Sequence, residues 1–362
     1  MDDTGGNGET GVTRLETSAR EAFLVAKHLP ASGARSVLLA GCGDASFADS
    51  LMPLVPGAVF FNQDFALHRR LPPGKAEFGP WYAGGPHDLA VVFVPKSKAL
   101  ARMNIAMAAS AVSPGGELWA VGGKTSGISP IREYMKGLLG SPVASDAARH
   151  CVLHRAKVKE KVPAGTLEAH ETRTKVEAGE KELTLVGFPG IFSEGRLDEG
   201  TAFLMEEFNL SPQAVVLDFG CGSGAIGTWL RREWPKASVE MADSDALAVE
   251  ASRRTLAANG LAADNVRASD LFSELKGSYD LIISNPPFHA GTGTDYTIMG
   301  EFVRESRRRL NRGGRLRVVC NKFLKHGKVM EEVFNNLKRV AENERYAVLE
   351  SVKKGQSPPS RE

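Results

Sequence analysis

At 362 residues, with 42% apolar and 24% charged side chains, the chain has the composition of a soluble globular protein long enough for two domains, each with its own core. A net charge of +2 does not mark a nucleic-acid binder by its overall field, and no uncharged apolar run approaches the roughly 18 residues of a membrane helix. Cys42, Cys151, Cys221 and Cys320 lie far apart, with no Cys-x-x-Cys pair and no histidine cluster at ligand spacing, which argues against a zinc site and a disulfide scaffold and suits a reducing cytoplasm.

The first residues, 1–8, are polar and acidic and do not read as a signal peptide. Further along, three landmarks occur twice in the same order. Ser36-Val37-Leu38-Leu39-Ala40-Gly41-Cys42-Gly43 returns as Val215-Val216-Leu217-Asp218-Phe219-Gly220-Cys221-Gly222. His87-Asp88-Leu89-Ala90-Val91-Val92 followed by Pro95 returns as Tyr279-Asp280-Leu281-Ile282-Ile283-Ser284 followed by Pro287. Gly115-Gly116-Glu117-Leu118 with Lys124 returns as Gly313-Gly314-Arg315-Leu316 with Lys322. Duplication of one α/β domain explains the repetition. Short apolar runs alternating with amphipathic stretches predict, in each half, a largely parallel sheet covered by helices.

Residues 157–182 are rich in Lys, Glu, Gly and Thr and read as a linker passing into a hairpin. The loop 190–201 precedes a helix predicted over 202–208, with Asp198 or Thr201 at capping positions. It reads equally as a helix cap or as a lid over a ligand. Strands are predicted over 214–218, 238–242, 281–284, 315–320 and 346–351, and helices over 225–233, 246–259, 296–310 and 329–337. The tail 355–362 reads as disordered. The resulting division is 1–160 for the first domain, 161–182 for the linker and 183–354 for the second domain.

Asp218-Phe219-Gly220-Cys221-Gly222-Ser223-Gly224 lies between a strand and a helix. There Gly220, Gly222 and Gly224 let the backbone turn sharply and approach a ligand. Such a loop also suits NAD. Two details favour S-adenosylmethionine: the acid Asp218 before the glycines suits a cationic methionine end, and the third glycine of a dinucleotide loop is missing, because Ile226 stands there. Asp243, with Ser244 beside it, ends the next strand where a carboxylate can accept bonds from ribose hydroxyls. Asp270 and Leu271 could meet the adenine amine and pack its ring. Cys221 has no base beside it and reads as a small space-filler.

Asn285-Pro286-Pro287-Phe288 follows the strand over 281–284, at the edge where open α/β sheets place ligands. A planar exocyclic amine is a poor nucleophile because its lone pair is delocalised into the ring. Bonds from that amine to the Asn285 side-chain oxygen and the Pro286 carbonyl can pull it toward tetrahedral geometry, so that the lone pair points at a methyl sulfonium. The prolines hold the loop rigid, and Phe288 offers a face on which an extruded base can stack. The catalytic candidates are therefore Asn285, Pro286 and Phe288. His289 carries no clear role. Between 301 and 330 there are ten Arg or Lys residues against two Glu; Arg307, Arg308, Arg309, Lys322 and Lys325 are the candidate RNA contacts among them.

With these residues in place, the chain resembles the ribosomal RNA small subunit methyltransferase C family. The resemblance rests on Phe192-Ser193 with Leu197-Asp198, the run from Val216 to Gly224, Asn285-Pro286-Pro287-Phe288-His289, Gly313-Gly314 and Asn321. It covers nearly all of the second half and, in the first half, only the layout. It implies two tandem Rossmann-like class I methyltransferase domains, the N-terminal one degenerate. It also implies S-adenosylmethionine as cofactor and N2-methylguanosine in 16S rRNA as product, made on a small-subunit particle in the cytoplasm without metal or membrane.

 The expected partner is thus ribosomal RNA within a small-subunit particle. Against Asn285 the first half sets Phe93, and aligning Val59 with Val239 sets Gln63 against Asp243; Asp218 falls opposite Leu39 or Ala40. The first half is thereby expected to have lost its chemistry and to serve in gripping RNA and supporting its partner domain. Competing readings are a guanine-N2 methyltransferase of large-subunit RNA, a protein-glutamine N5 methyltransferase, a DNA adenine methyltransferase, and a non-catalytic ribosome-assembly protein that has kept only the fold.

Overall fold

The alternating apolar runs form two seven-stranded mixed sheets with the same strand order, as the repeat predicts. The computed structural model describes residues 14–354 other than 44, 54, 125, 180, 207, 287–292 and 323–325. The first half contains β1 (Ser36–Ala40), β2 (Gly57–Asn62), β3 (Ala76–Phe78), β4 (His87–Phe93), β5 (Val112–Gly123), β6 (Ala144–Ala148) and β7 (Cys151–Lys157). Its helices are α1 (Arg14–Ser32), α2 (Ala45–Leu51), α3 (Phe65–His68), α4 (Lys98–Ser110) and α5 (Ile131–Leu139). A two-stranded hairpin, β8 (Thr172–Ala178) and β9 (Lys181–Gly187), follows.

The second half contains β10 (Val215–Phe219), β11 (Ser238–Asp243), β12 (Val266–Ala268), β13 (Tyr279–Ser284), β14 (Leu310–Asn321), β15 (Lys338–Glu342) and β16 (Tyr346–Val352). Its helices are α6 (Glu199–Met205), α7 (Ala225–Glu233), α8 (Ala246–Ala258), α9 (Gly293–Arg309) and α10 (His326–Phe334). The orders are β3-β2-β1-β4-β5-β7-β6 and β12-β11-β10-β13-β14-β16-β15. The central strands are parallel, and the last two of each sheet run antiparallel to their neighbours. Val37, Leu38, Val216 and Leu217 are fully buried, as strands covered on both faces require.

Several elements differ from the sequence reading, among them the strand expected over 315–320, which runs over Leu310–Asn321. The helix expected over 202–208 begins at Glu199, because the Asp198 side chain accepts from the Thr201 N–H and starts the turn earlier. The helix expected over 329–337 ends at Phe334, and β15 follows it as an edge strand whose residues are exposed or half-buried, so its pattern carries no alternation to read.

Strand pairing aligns the halves residue by residue. Val37 faces Ala58 and Leu89, while Val216 faces Val239 and Leu281. Leu39 therefore stands where Asp218 does, and Phe93 where Asn285 does. Asn62, not Gln63, stands where Asp243 does, one residue away from the alignment of Val59 with Val239, because strands buried on both faces are continuously apolar and carry no alternation to fix their register in sequence. Asn62 donates to the Cys42 carbonyl at 3.0 Å, whereas Asp243 accepts from the Gly222 N–H at 2.9 Å. A Cβ on Gly43 would meet a Leu67 methyl at 2.9 Å, whereas one on Gly222 would meet nothing within 4 Å. The first half has filled with an apolar side chain the space that the second half leaves open.

The halves meet through equivalent loops. Asp64 and Asp245 form an antiparallel bridge, with Phe65 N–H donating to the Ser244 carbonyl and Ala246 N–H to the Gln63 carbonyl, both at 2.8 Å. Beside it, Met103 of α4 packs with Val186, Phe188, Ile191, Leu247 and Ala251 in a buried cluster. Arg254 of α8 pairs with Glu250 and with Glu168 and Glu171 before β8, its guanidinium lying over Phe188. Phe188 is 1% exposed. Phe188→Ala is expected to cost about 3–5 kcal/mol, measured as a lower midpoint in urea unfolding.

Candidate active site

The parallel strands direct their carboxyl ends to one edge of the second sheet, and the loops there carry most of the candidate residues. Gly220, Gly222 and Gly224 have φ of +69°, +56° and +82°, a left-handed region that favours glycine. Gly224 starts α7 and sits against Ser252, where a Cβ would lie 3.0 Å from the Ser252 Cα. Gly222 faces open space.

Asp218 is completely buried in the middle of the sheet. Its Oδ2 accepts from the Gly227 N–H at 2.9 Å, and its Oδ1 has no partner among the described residues. Burial pushes its carboxyl up to about 7, opposed by the Gly227 bond and assisted by the nearby Asp243 charge. Asp243 closes the loop from the other side, with Oδ2 on the Gly222 N–H and Oδ1 on the Asp245 N–H at 3.0 Å. Desolvation raises its pKa despite those bonds. Ser244 contributes its carbonyl to the junction with the first half. Asp270 and Leu271 follow β12 next to the end of β11, where Ser269 N–H donates to the Asp243 carbonyl at 2.9 Å. Leu271 has φ of +50°, and Asp270 lies 3.5 Å from the Arg69 guanidinium of the first half. Cys221 is buried and its thiol is raised well above its ordinary range by burial and by Asp243 and Asp218, which does not suit a nucleophile.

These features fit S-adenosylmethionine: a buried acceptor without a partner, open glycine backbone beside it, and a strand-end carboxylate within reach of the same loop. Among the described residues no cluster of His, Cys, Asp and Glu could hold a metal ion, and no helix is long and apolar enough to cross a membrane.

Asn285 follows β13 at the same edge, half-buried, with Pro286 buried next to it. The Asn285 Nδ2 donates to Asp198 Oδ2 at 3.0 Å and to Thr201 Oγ1 at 2.9 Å. That contact is absent from the sequence reading, which placed Asp198 and Thr201 only at a helix cap or in a lid. The one available signal was the spacing of Asp198, Gly200 and Thr201, which is compatible with either role. Pro287, Phe288, His289 and Lys325 lie outside the described residues, as does the tail 355–362.

The candidate RNA contacts do not gather in one place. Lys322 follows β14 on the reacting edge and pairs with Glu342 at 2.6 Å. Arg307, Arg308 and Arg309 close α9 and lead into Leu310, which faces Tyr279 at the start of β13. They therefore lie at the opposite edge of the sheet from Asn285, roughly 20 Å away by the rise of a six-residue strand. Arg308 is paired with Glu305.

Comparison with known proteins agrees with both halves. The Methyltransferase small domain model matches residues 182–350, and the Methyltransferase small domain N-terminal model matches residues 23–173. A ribosomal RNA small subunit methyltransferase C of Pseudomonas aeruginosa (strain LESB58) is 35% identical over 331 residues, covering 91% of this chain and 97% of that one. Its counterpart from Pseudomonas putida (strain W619) is 38% identical over 280 residues, covering 77% of this chain and 84% of that one. Among solved structures, the T. thermophilus 16S rRNA N2 G1207 methyltransferase in complex with AdoMet and guanosine superposes with a TM-score of 0.77 at 26% identity, covering 88% of each chain.

The buried carboxyl of Asp218 sets a pH test. Folded Asp218 keeps its proton up to about pH 7, whereas the unfolded chain releases it near pH 4, so its contribution to stability is lost as pH rises through that interval. In the cofactor-free protein, the Tm of Asp218→Asn relative to the unsubstituted protein is expected to rise between about pH 5 and about pH 8. Parallel Tm curves for the two proteins would contradict it.

Proposed function

Since the chain belongs to the ribosomal RNA small subunit methyltransferase C family, we propose that it methylates the exocyclic N2 amine of a guanine in 16S rRNA. The observation that carries this reading is the Asn285 carboxamide, whose nitrogen donates to Asp198 and Thr201 and whose oxygen, among the described residues, is left to accept from an amine. When bound, S-adenosylmethionine supplies an electrophilic methyl group on a sulfonium.

The residues of the second half do the rest. Asp218 and the backbone at Gly220, Gly222 and Gly224 receive the cationic methionine end, Asp243 with Ser244 the ribose, and Asp270 with Leu271 the adenine. Asn285 and the Pro286 carbonyl accept from the two protons of the guanine amine and draw its lone pair out of the ring plane. Phe288 stacks on the extruded base. The first half, with Leu39, Asn62 and Phe93 at the three chemical positions and Leu67 over its glycine loop, binds no cofactor and supports substrate binding.

The substrate is the small-subunit particle, and its phosphates meet the protein at Lys322, which follows β14 on the reacting edge; Lys325, outside the described residues, belongs to the same basic run in sequence. Arg307, Arg308 and Arg309 reach only an extended substrate. Labelled-cofactor methylation of small-subunit particles, large-subunit particles and naked 16S rRNA, followed by mass mapping, tests the assignment. Label on large-subunit RNA alone, or on a protein glutamine, would overturn it. Asn285→Ala is expected to retain cofactor affinity by calorimetry while turnover falls at least about a hundredfold. Reversing Arg307, Arg308 and Arg309 to Glu is expected to raise the KM for particles and leave that for a short RNA hairpin unchanged; a particle KM equal to that of the unsubstituted enzyme would remove the three arginines from the interface.

A further inference from the structure

We propose that Asp198 and Thr201 are positioning residues for methyl transfer, locking the Asn285 carboxamide so that its oxygen, and not its nitrogen, faces the substrate amine. This rests on the reading of Asn285 as the amine acceptor. A carboxamide can present either end to a ligand, and only the oxygen end can accept from an N–H. The Asp198 carboxylate settles which end turns inward. It offers only acceptors, so the Nδ2 donates to it at 3.0 Å, and the second proton of the same nitrogen goes to Thr201 Oγ1 at 2.9 Å. With both donors engaged, the oxygen is, among the described residues, the group left for substrate. A flipped amide would set its oxygen against the carboxylate.

The lock is built from outside the reacting loop. Asp198 Oδ2 also accepts from the Thr201 N–H at 3.0 Å, so one oxygen caps α6 and holds Asn285 together. Thr201 is 8% exposed, and Leu204, one turn on, is completely buried. Gly200 leaves room for the arrangement: a Cβ there would lie 3.0 Å from Asp198 Oδ2 and 3.1 Å from the Tyr346 ring. Upstream, Ser193 and Glu194 take left-handed backbone and Gly195 is pressed against Gly187 of β9, which holds the approach to Asp198 in one path. Negative charge on Asp198 also polarises the carboxamide through its N–H, which strengthens the oxygen as an acceptor when the amine gains positive charge at methyl transfer. The effect therefore falls on kcat more than on KM.

Three substitutions separate the clamp from the helix cap. Asp198→Ser keeps an N-cap oxygen but is too short to hold Asn285. Thr201→Val removes the acceptor at nearly constant shape, and Thr201→Ser restores it. Asp198→Ser and Thr201→Val are each expected to lower kcat about ten- to hundredfold, with KM for cofactor and for particles within about threefold and Thr201→Ser close to the unsubstituted enzyme. In an Asn285→Ala background neither substitution is expected to lower kcat further. Unchanged kcat in Thr201→Val, beside a slow Asn285→Ala, would overturn the clamp while leaving Asn285 as the acceptor. Normal turnover in Asn285→Ala would overturn both. If Asp198→Ser fails to fold, the Val and Ser variants at Thr201 decide the matter alone.

Discussion

The Asp243 carboxylate ties together three parts of the site. One oxygen holds the Gly222 N–H and so sets the glycine loop; the other holds the Asp245 N–H and so sets the start of α8. Asp245 in turn caps α8 and bridges to Asp64 of the first half. A single strand-end side chain thus fixes a ligand loop, a helix start and the place where the two halves touch. The equivalent position in the first half, Asn62, donates to a carbonyl instead, and there Leu67 occupies the space beside the glycine. Reversing one hydrogen bond accompanies the change from an open pocket to a packed one.

Burial of Asp218 carries an energetic cost. A carboxyl with one oxygen unpartnered among the described residues is unfavourable in the centre of a sheet, and the equivalent position in the first half holds the apolar Leu39. The two sheets share strand order and the sequence of helices between strands, and they differ at strand-end side chains and in the helix after the second strand, four residues in α3 and thirteen in α8. Function here is carried by the site and not by the fold.

Much of that site is legible along the chain because it is local. The glycines, Asp218 before them and Asp243 after the next strand follow the strand–loop–helix order that parallel sheets impose, and Asn285-Pro286 lies directly beyond a strand. The duplication is legible because whole apolar strands and their following glycines recur. Its register is not, since apolar strands resemble one another at adjacent alignments; the pairing of Val37 with Ala58 was needed to set Asn62, and not Gln63, opposite Asp243.

Sequence alone therefore determined the tandem α/β class and set the glycine loop and Asn285-Pro286 at strand ends, because each depends on residues close together in the chain. Tertiary structure decided the rest. Asp198 and Thr201 meet Asn285 across 87 and 84 residues, a contact that exists only because α6 is laid against β14 and β16 beside the end of β13. The basic run 307–309, close to Asn285 in sequence, is carried by α9 to the far edge of the sheet. Helices that return the chain between parallel strands separate neighbours in sequence and join residues far apart, and spacing along the chain does not encode which.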